Sequence, residues 1–294
     1  MNSHIWLHDP LSSFTFLCLI LSIVSFWIKY DIRIWGFLSA LSLLFGLLAG
    51  RIEFSGVIPI MMLGFLYFIV SQDRYSRFLR ACASVSAIIL SIAISAHLVP
   101  GFNRWQLLDQ AVCSERGQPY SLYAHMDKPF VGLFILGFGF PLVTDKKEWG
   151  SLFRSLLPVF ISGLLILISL ACLSNYACWD VKLPAWFFIW MLKNLFFTCV
   201  SEEAFFRGFL QKRLTRMLER NPYGPMLSLI AVSILFGLAH VNGGFKYVIL
   251  AAAAGIFYGY AYQKTQRIEA AILCHFGVNL VHFIFLTYPA LAGG

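Results

Sequence analysis

Charge is scarce in this 294-residue chain: only 12% of its residues are Asp, Glu, Lys or Arg, about half the share of an ordinary soluble domain. Hydrophobic residues make up 59% and aromatic ones 17%. A soluble fold of this length could not cover its surface with so few charges. That excludes a soluble globular enzyme, a disordered chain and, despite the net charge of +8, a nucleic-acid binder. Sequence signatures are missing too. HExxH, GxSG and GxGD do not occur, which disfavours the common zinc protease helix and the intramembrane serine and aspartyl proteases. The seven cysteines form no CxxC pair and no zinc-finger spacing. Most lie in apolar runs, where Cys acts as a small hydrophobe; a disulfide among Cys113, Cys172 and Cys178 stays open. No Lys or Arg precedes the first apolar run and no small-residue cleavage site follows it, so that run reads as a retained helix. No internal repeat is visible, which weakens a transporter built from two related halves.

Long apolar runs are what the chain does have. A membrane-spanning helix needs about 20 mostly apolar residues, and ten runs qualify or come close: 11–28, 34–50, 54–70, 81–99, 129–143, 152–173, 184–206, 226–240, 245–262 and 270–288. The fifth and eighth are short. Period-2 alternation is absent, which argues against a β-barrel. The expected fold is therefore all-α, a polytopic transmembrane helix bundle of about 8–10 spans. Lys and Arg number fourteen in the odd connections and six in the even ones. The positive-inside rule then puts the odd connections in the cytoplasm and both termini outside. The one long connection, 100–128, reads as a boundary element or an external lid.

Polarity within the apolar runs is uneven. The first six carry mainly Ser, which is tolerated at helix–helix contacts, with His97 as the exception. The ionisable groups concentrate in the last four, so chemistry is expected within 184–290, and residues 1–180 form N-terminal transmembrane helices of unassigned role. The seventh run contains Glu202, Glu203 and Arg207. Three such charges at a helix centre would cost about 8–10 kcal/mol on the insertion scale, so they are expected to face a bundle interior or an aqueous cavity. Glu203 and Arg207 are four apart, in the favourable order for an ion pair. Glu202 points about 100° away, on a line with Asn194 and Thr198. A carboxylate there can act as a proton acceptor, although a helix end in water would also carry solvated glutamates. The eighth run ends Phe236-Gly-Leu-Ala-His240, and the tenth contains His275-Phe-Gly-Val-Asn279, with His282 continuing its stripe. Alone, each pair reads as interhelical hydrogen bonding. Together, three helices that each present acid, base or amide groups match what peptide hydrolysis requires: a base for water, a group to orient it, and oxyanion donors.

At these residues the chain resembles the CPBP family, the CAAX-type prenyl endopeptidases and their bacterial relatives in bacteriocin processing and self-immunity. The family pattern EExxxR, FxxxH, HxxxN stands here as Glu202-Glu203-Ala-Phe-Phe-Arg207, Phe236-Gly-Leu-Ala-His240 and His275-Phe-Gly-Val-Asn279. The resemblance implies an intramembrane glutamic endopeptidase core over 184–290, in the C-terminal third. Glu202 would be the general base and His240 would hold the water. His275 and Asn279 would form the oxyanion hole, and Glu203, Arg207 and Phe236 would support the site. It implies no metal and no cofactor, and a peptide or membrane-anchored protein as substrate. The expected setting is a lipid bilayer, a prokaryotic cytoplasmic membrane, with no nucleic acid as partner; the oligomeric state is unknown. Three other readings remain. One is a zinc-dependent protease using Glu202, His240 and His275. The others are a non-catalytic immunity or scaffold protein and a proton-relaying transporter.

Overall fold

The computed structural model describes residues 9–28 and 31–292. Lys29, one of the fourteen basic residues of the odd connections, lies outside them. Every one of the ten apolar runs forms a helix: α1 (Pro10–Ile28), α2 (Ile32–Leu48), α3 (Phe54–Ser71), α4 (Arg77–Ser95), α5 (Asp127–Gly137), α6 (Lys146–Leu173), α7 (187–217), α8 (Gly224–Leu238), α9 (Phe245–Thr265) and α10 (Ile268–Phe285). Six of these, α1, α3, α4, α6, α9 and α10, are long and apolar enough to cross a membrane; α2 and α8 are shorter apolar helices. The chain is an all-α integral membrane protein. Helix α3 shows why this suits lipid. Phe54, Ile58, Met61 and Phe65 are 60–79% exposed along one face, at the spacing of a helical stripe, while Ile60, Leu63 and Tyr67 on the opposite side are buried.

Two features depart from the run-by-run reading. The connection 100–128 contains a two-stranded ribbon, β1 (Trp105–Ala111) and β2 (Tyr120–Ala124). The fifth run is helical for only 11 residues, about 16 Å at 1.5 Å per residue, and then breaks in a turn at 138–139 followed by the non-helical segment 140–145.

The fold divides into two compact units that interleave along the chain. The first comprises the residues up to Leu108, Leu122–Pro141 and Phe196–Ala204. The second comprises Asp109–Ser121, Leu142–Leu195 and the residues from Phe205 onward. In the first unit the serines noted in the sequence do the joining. Ser22 donates to the Trp35 carbonyl at 2.8 Å and lies 2.9 Å from Ser39, and Ser42 donates to the Thr15 carbonyl at 2.8 Å. Tyr67 and Ser91 bond α3 to α4 at 2.8 Å. Such bonds replace the hydrophobic drive that is absent between helices in lipid. Helix α5 is buried along almost its whole length.

The second unit packs α6, α8, α9 and α10 through glycines. A Cβ on Gly163 would lie 2.7 Å from Phe257, on Gly237 2.7 Å from Ala252, and on Gly277 2.7 Å from Phe160. Small residues thus allow the close backbone approach on which membrane helix packing depends. Glu269, in the first turn of α10 and 2% exposed, accepts the Val143 amide at 2.7 Å. All seven cysteines, Cys113, Cys172 and Cys178 among them, are free thiols.

Candidate active site

Helix α7 carries the two glutamates, and its local geometry is unusual. It is π-helical over Lys193–Cys199 and Ala204–Gln211, with one α-helical turn, Val200–Glu203, between them. π-Turns are rare and concentrate at functional sites. The expected polar line of Asn194, Thr198 and Glu202 assumed regular α-geometry. The π-turns are wider than that, and Asn194 reaches α10, as described below.

The helix also runs eleven residues beyond the end of the apolar run, to residue 217. The sequence reading placed Glu202 near the cytoplasmic end of its helix. In the fold Glu202 is the middle residue of a helix that runs from 187 to 217, with fifteen residues on either side. His275 is the eighth of the eighteen residues of α10.

In the first unit, Glu202 is 7% exposed and pairs with Lys128, whose Nζ lies 2.5 Å from Glu202 Oε1. Lys128 is the second residue of α5. Its approach is made possible by Gly132, one turn later on the same face, where a Cβ would stand 2.7 Å from the Ser201 Cα. Backbone thus touches backbone, and the lysine is left beside the carboxylate. An ammonium at this range compensates a charge that burial alone would make costly. Glu203, beside it, is fully buried.

In the second unit, Arg207 is fully buried. It donates from Nη2 to the Gly255 carbonyl at 3.0 Å, and its guanidinium lies 4.5 Å from the ring centre of Phe236 and 5.6 Å from that of Tyr258. This is cation–π contact in a desolvated setting, worth about 2 kcal/mol. Gly255 leaves the room: a Cβ there would stand 3.3 Å from Arg207 Nη2.

Phe236 is the hub of the polar groups of the second unit. His240 lies just beyond the end of α8, in the turn before Val241–Gly243, two residues past the last helical one. Its Nδ1 is 2.7 Å from the Phe236 carbonyl. A carbonyl only accepts, so Nδ1 carries the proton and Nε2 is left as an acceptor. The His240 ring packs on Phe236 with centroids 4.7 Å apart. His275, 4% exposed, stacks on Tyr258 at 4.6 Å and meets Phe236 edge-on at 5.7 Å. Asn279 donates from Nδ2 to Asn194 Oδ1 at 3.2 Å, which orients the carboxamide. His240, His275, Asn279 and Phe236 line one cavity that is partly open to the outside, whose walls also include Tyr247, Tyr258 and His282.

The structure therefore brings the FxxxH and HxxxN pairs to one cavity in the second unit. It places both glutamates on the helix turn immediately before Arg207. Two contributors were not legible in the sequence. Lys128 was counted only as a loop cation, 74 residues from Glu202. Its position at the lip of a short apolar run was the signal available. Tyr258 carried no signal beyond being an aromatic in a membrane helix.

Residues 184–281 match the family model described as Rce1-like, type II CAAX prenyl endopeptidase Rce1-like. The match covers a third of the chain, and Glu202, Glu203, Arg207, Phe236, His240, His275 and Asn279 all fall within it. No curated protein and no solved structure matches the chain.

Proposed function

We propose that this protein is an intramembrane endopeptidase that cuts a membrane-associated peptide or protein with a glutamate-activated water. The observation that carries the reading is the single cavity lined by His240, His275 and Asn279, within a segment that matches a CAAX-type protease family. In the proposed reaction Glu202 takes a proton from water, and His240 Nε2 accepts the water's other hydrogen and so fixes its direction. The water oxygen attacks the scissile carbonyl carbon. An N–H of His275 and the Asn279 carboxamide donate to the oxygen that becomes negative. When the C–N bond breaks, the proton held by Glu202 passes to the departing amine, so the carboxylate is restored. Lys128 keeps Glu202 charged and in place, and Arg207 locks Phe236, against which both imidazoles rest.

Positive charge bias supports an orientation with the odd connections in the cytoplasm and both termini outside. The C-terminal core of this proposal is 184–290, and the N-terminal helices of residues 1–180 have no assigned role apart from Lys128, which pairs with Glu202. Three markers missing from the sequence support a glutamate mechanism over a serine, an aspartyl or an HExxH zinc one.

The test is Glu202→Gln, with purified protein in lipid nanodiscs and a peptide library read by mass spectrometry. Wild type is expected to yield cleaved peptides and the variant none, while both fold and insert alike. Equal product from the two ends the proposal.

A further inference from the structure

One cluster of donors has no part in the proposed hydrolysis and lies outside the segment matched to the protease family. His97 follows α4, and His125 and Asp127 stand at the junction of β2 and α5. One ligand atom from each lies within 4.8 Å of the others. The two imidazoles stack with centroids 4.0 Å apart and planes 25° apart. His97 Nδ1 is 2.6 Å from Asp127 Oδ2. The carboxylate is 1% exposed, and its other oxygen accepts the Lys128 amide at 2.7 Å, so its direction is fixed from behind. His97 itself is held at φ 56°, a left-handed conformation that few non-glycine residues adopt. Strain of this kind persists where the surrounding structure imposes it, and it clusters at functional sites.

We propose that His97, His125 and Asp127 bind one divalent transition-metal ion of the zinc class, with a solvent molecule as fourth ligand. A hydrogen-bonded Asp–His pair needs no second imidazole, yet here a second one lies face to face with the first. Two neutral nitrogens and one carboxylate oxygen suit zinc and are a poor set for magnesium or calcium, which take oxygen donors. Around a tetrahedral ion the ligand atoms stand roughly 3.3 Å apart, as bond lengths near 2.0–2.1 Å require. Small side-chain rotations bring the three donors from their present spacing to that one. The His97 side chain is 44% exposed, which gives the ion a path from solvent. The ion's task is structural. It ties the end of α4 to the first turn of α5, and the next residue along that turn is Lys128, the partner of Glu202. On binding, the proton on His97 Nδ1 passes to Nε2, so the imidazole stays neutral, and the ion takes its place beside the Asp127 carboxylate.

The test uses the full chain purified in detergent, stripped with a chelator, loaded with Zn²⁺ and desalted, with bound metal read by mass spectrometry. Cobalt absorbance gives a second reading of the ligand set. Wild type is expected to retain one zinc per chain, to show the visible bands of four-coordinate cobalt, and to melt at a higher temperature with zinc but not with magnesium. His97→Asn, whose side chain tolerates the left-handed backbone, and His125→Gln should each weaken zinc binding at least tenfold and abolish the zinc-dependent melting shift, in protein that elutes as wild type does. Wild type that retains no zinc overturns the proposal. So does zinc that survives both changes but is lost in His275→Asn, since the ion would then belong to the cavity of the second unit.

Discussion

Replacing Lys128 by Met keeps most of the side chain's length and deletes its charge, which strips Glu202 of the counter-charge seen in the first unit. At the 2.5 Å separation of the two groups, Coulomb attraction with an effective dielectric of about 20 amounts to roughly 6–7 kcal/mol. Desolvation of both groups offsets much of that. Removal of one partner from a buried pair typically costs about 3–5 kcal/mol. The lysine side chain is 25% exposed and the glutamate 7%, which puts the expected loss at the lower end, about 2–3 kcal/mol. The same change in a Glu202→Gln background removes an ammonium from a neutral amide and should cost less than about 1 kcal/mol, so the coupling in the double-mutant cycle should be about 2 kcal/mol. Unfolding in detergent micelles, followed through the fluorescence of the eight tryptophans, measures all four proteins. Were the cost of Lys128→Met the same with Glu or Gln at 202, the ion pair would have no energetic reality and Lys128 no positioning role.

Other consequences follow from the same geometry. Gly132→Ala puts a Cβ 2.7 Å from the Ser201 backbone, and should cost about 1–3 kcal/mol in the same unfolding assay and slow cleavage by moving α5 away from Glu202. Arg207→Lys cannot both stack on Phe236 and reach the Gly255 carbonyl, so a stability loss of about 2 kcal/mol and a fall in kcat are expected. His275→Ala should lower kcat by about 10²–10³, with peptide binding, read by fluorescence anisotropy, little changed. Burial pushes the Cys113 thiol up to about 11, so only about one thiol in a thousand is ionised at pH 8. Maleimide labelling of Cys113 should be correspondingly slow and should accelerate as pH rises towards 11. Burial alone would raise the pKa of Asp9, but the Ser12 hydroxyl and the Arg51 guanidinium outweigh it and hold the carboxyl below its ordinary value. The stabilisation is present above the unfolded pKa and disappears as pH falls through the folded one. Asp9→Asn should therefore lose about 0.5–1 kcal/mol at neutral pH and nothing at a pH of about 2.

The helices were legible because lipid enforces a simple rule: an apolar segment that must satisfy its own backbone becomes a helix. Each of the ten runs obeyed it. Helix ends were less legible. The rule says nothing once polar residues begin, so α7 continues to residue 217 and Glu202 moves from the end of a helix to its middle. The ribbon 105–124 was hidden for a related reason, since short strands outside the membrane leave no long apolar signature. Within one helix, spacing pointed to the pairs Phe236 with His240 and His275 with Asn279, because residues four apart meet on one face. The bond from Asn279 to Asn194, 85 residues apart, left no such signal.

The amino-acid order by itself determined the class of protein, the number of helices and the identity of the polar groups that had to be sheltered, because each follows from local composition and the cost of placing charge in hydrocarbon. Only the tertiary structure decided which groups meet. Lys128 reaches Glu202, Arg207 lies over Phe236, and His240 from the end of α8 meets the His275–Asn279 pair of α10 in one cavity. Those partners are far apart along the chain, and they come together only where glycines such as Gly132 and Gly255 let helices approach closely enough for side chains to touch.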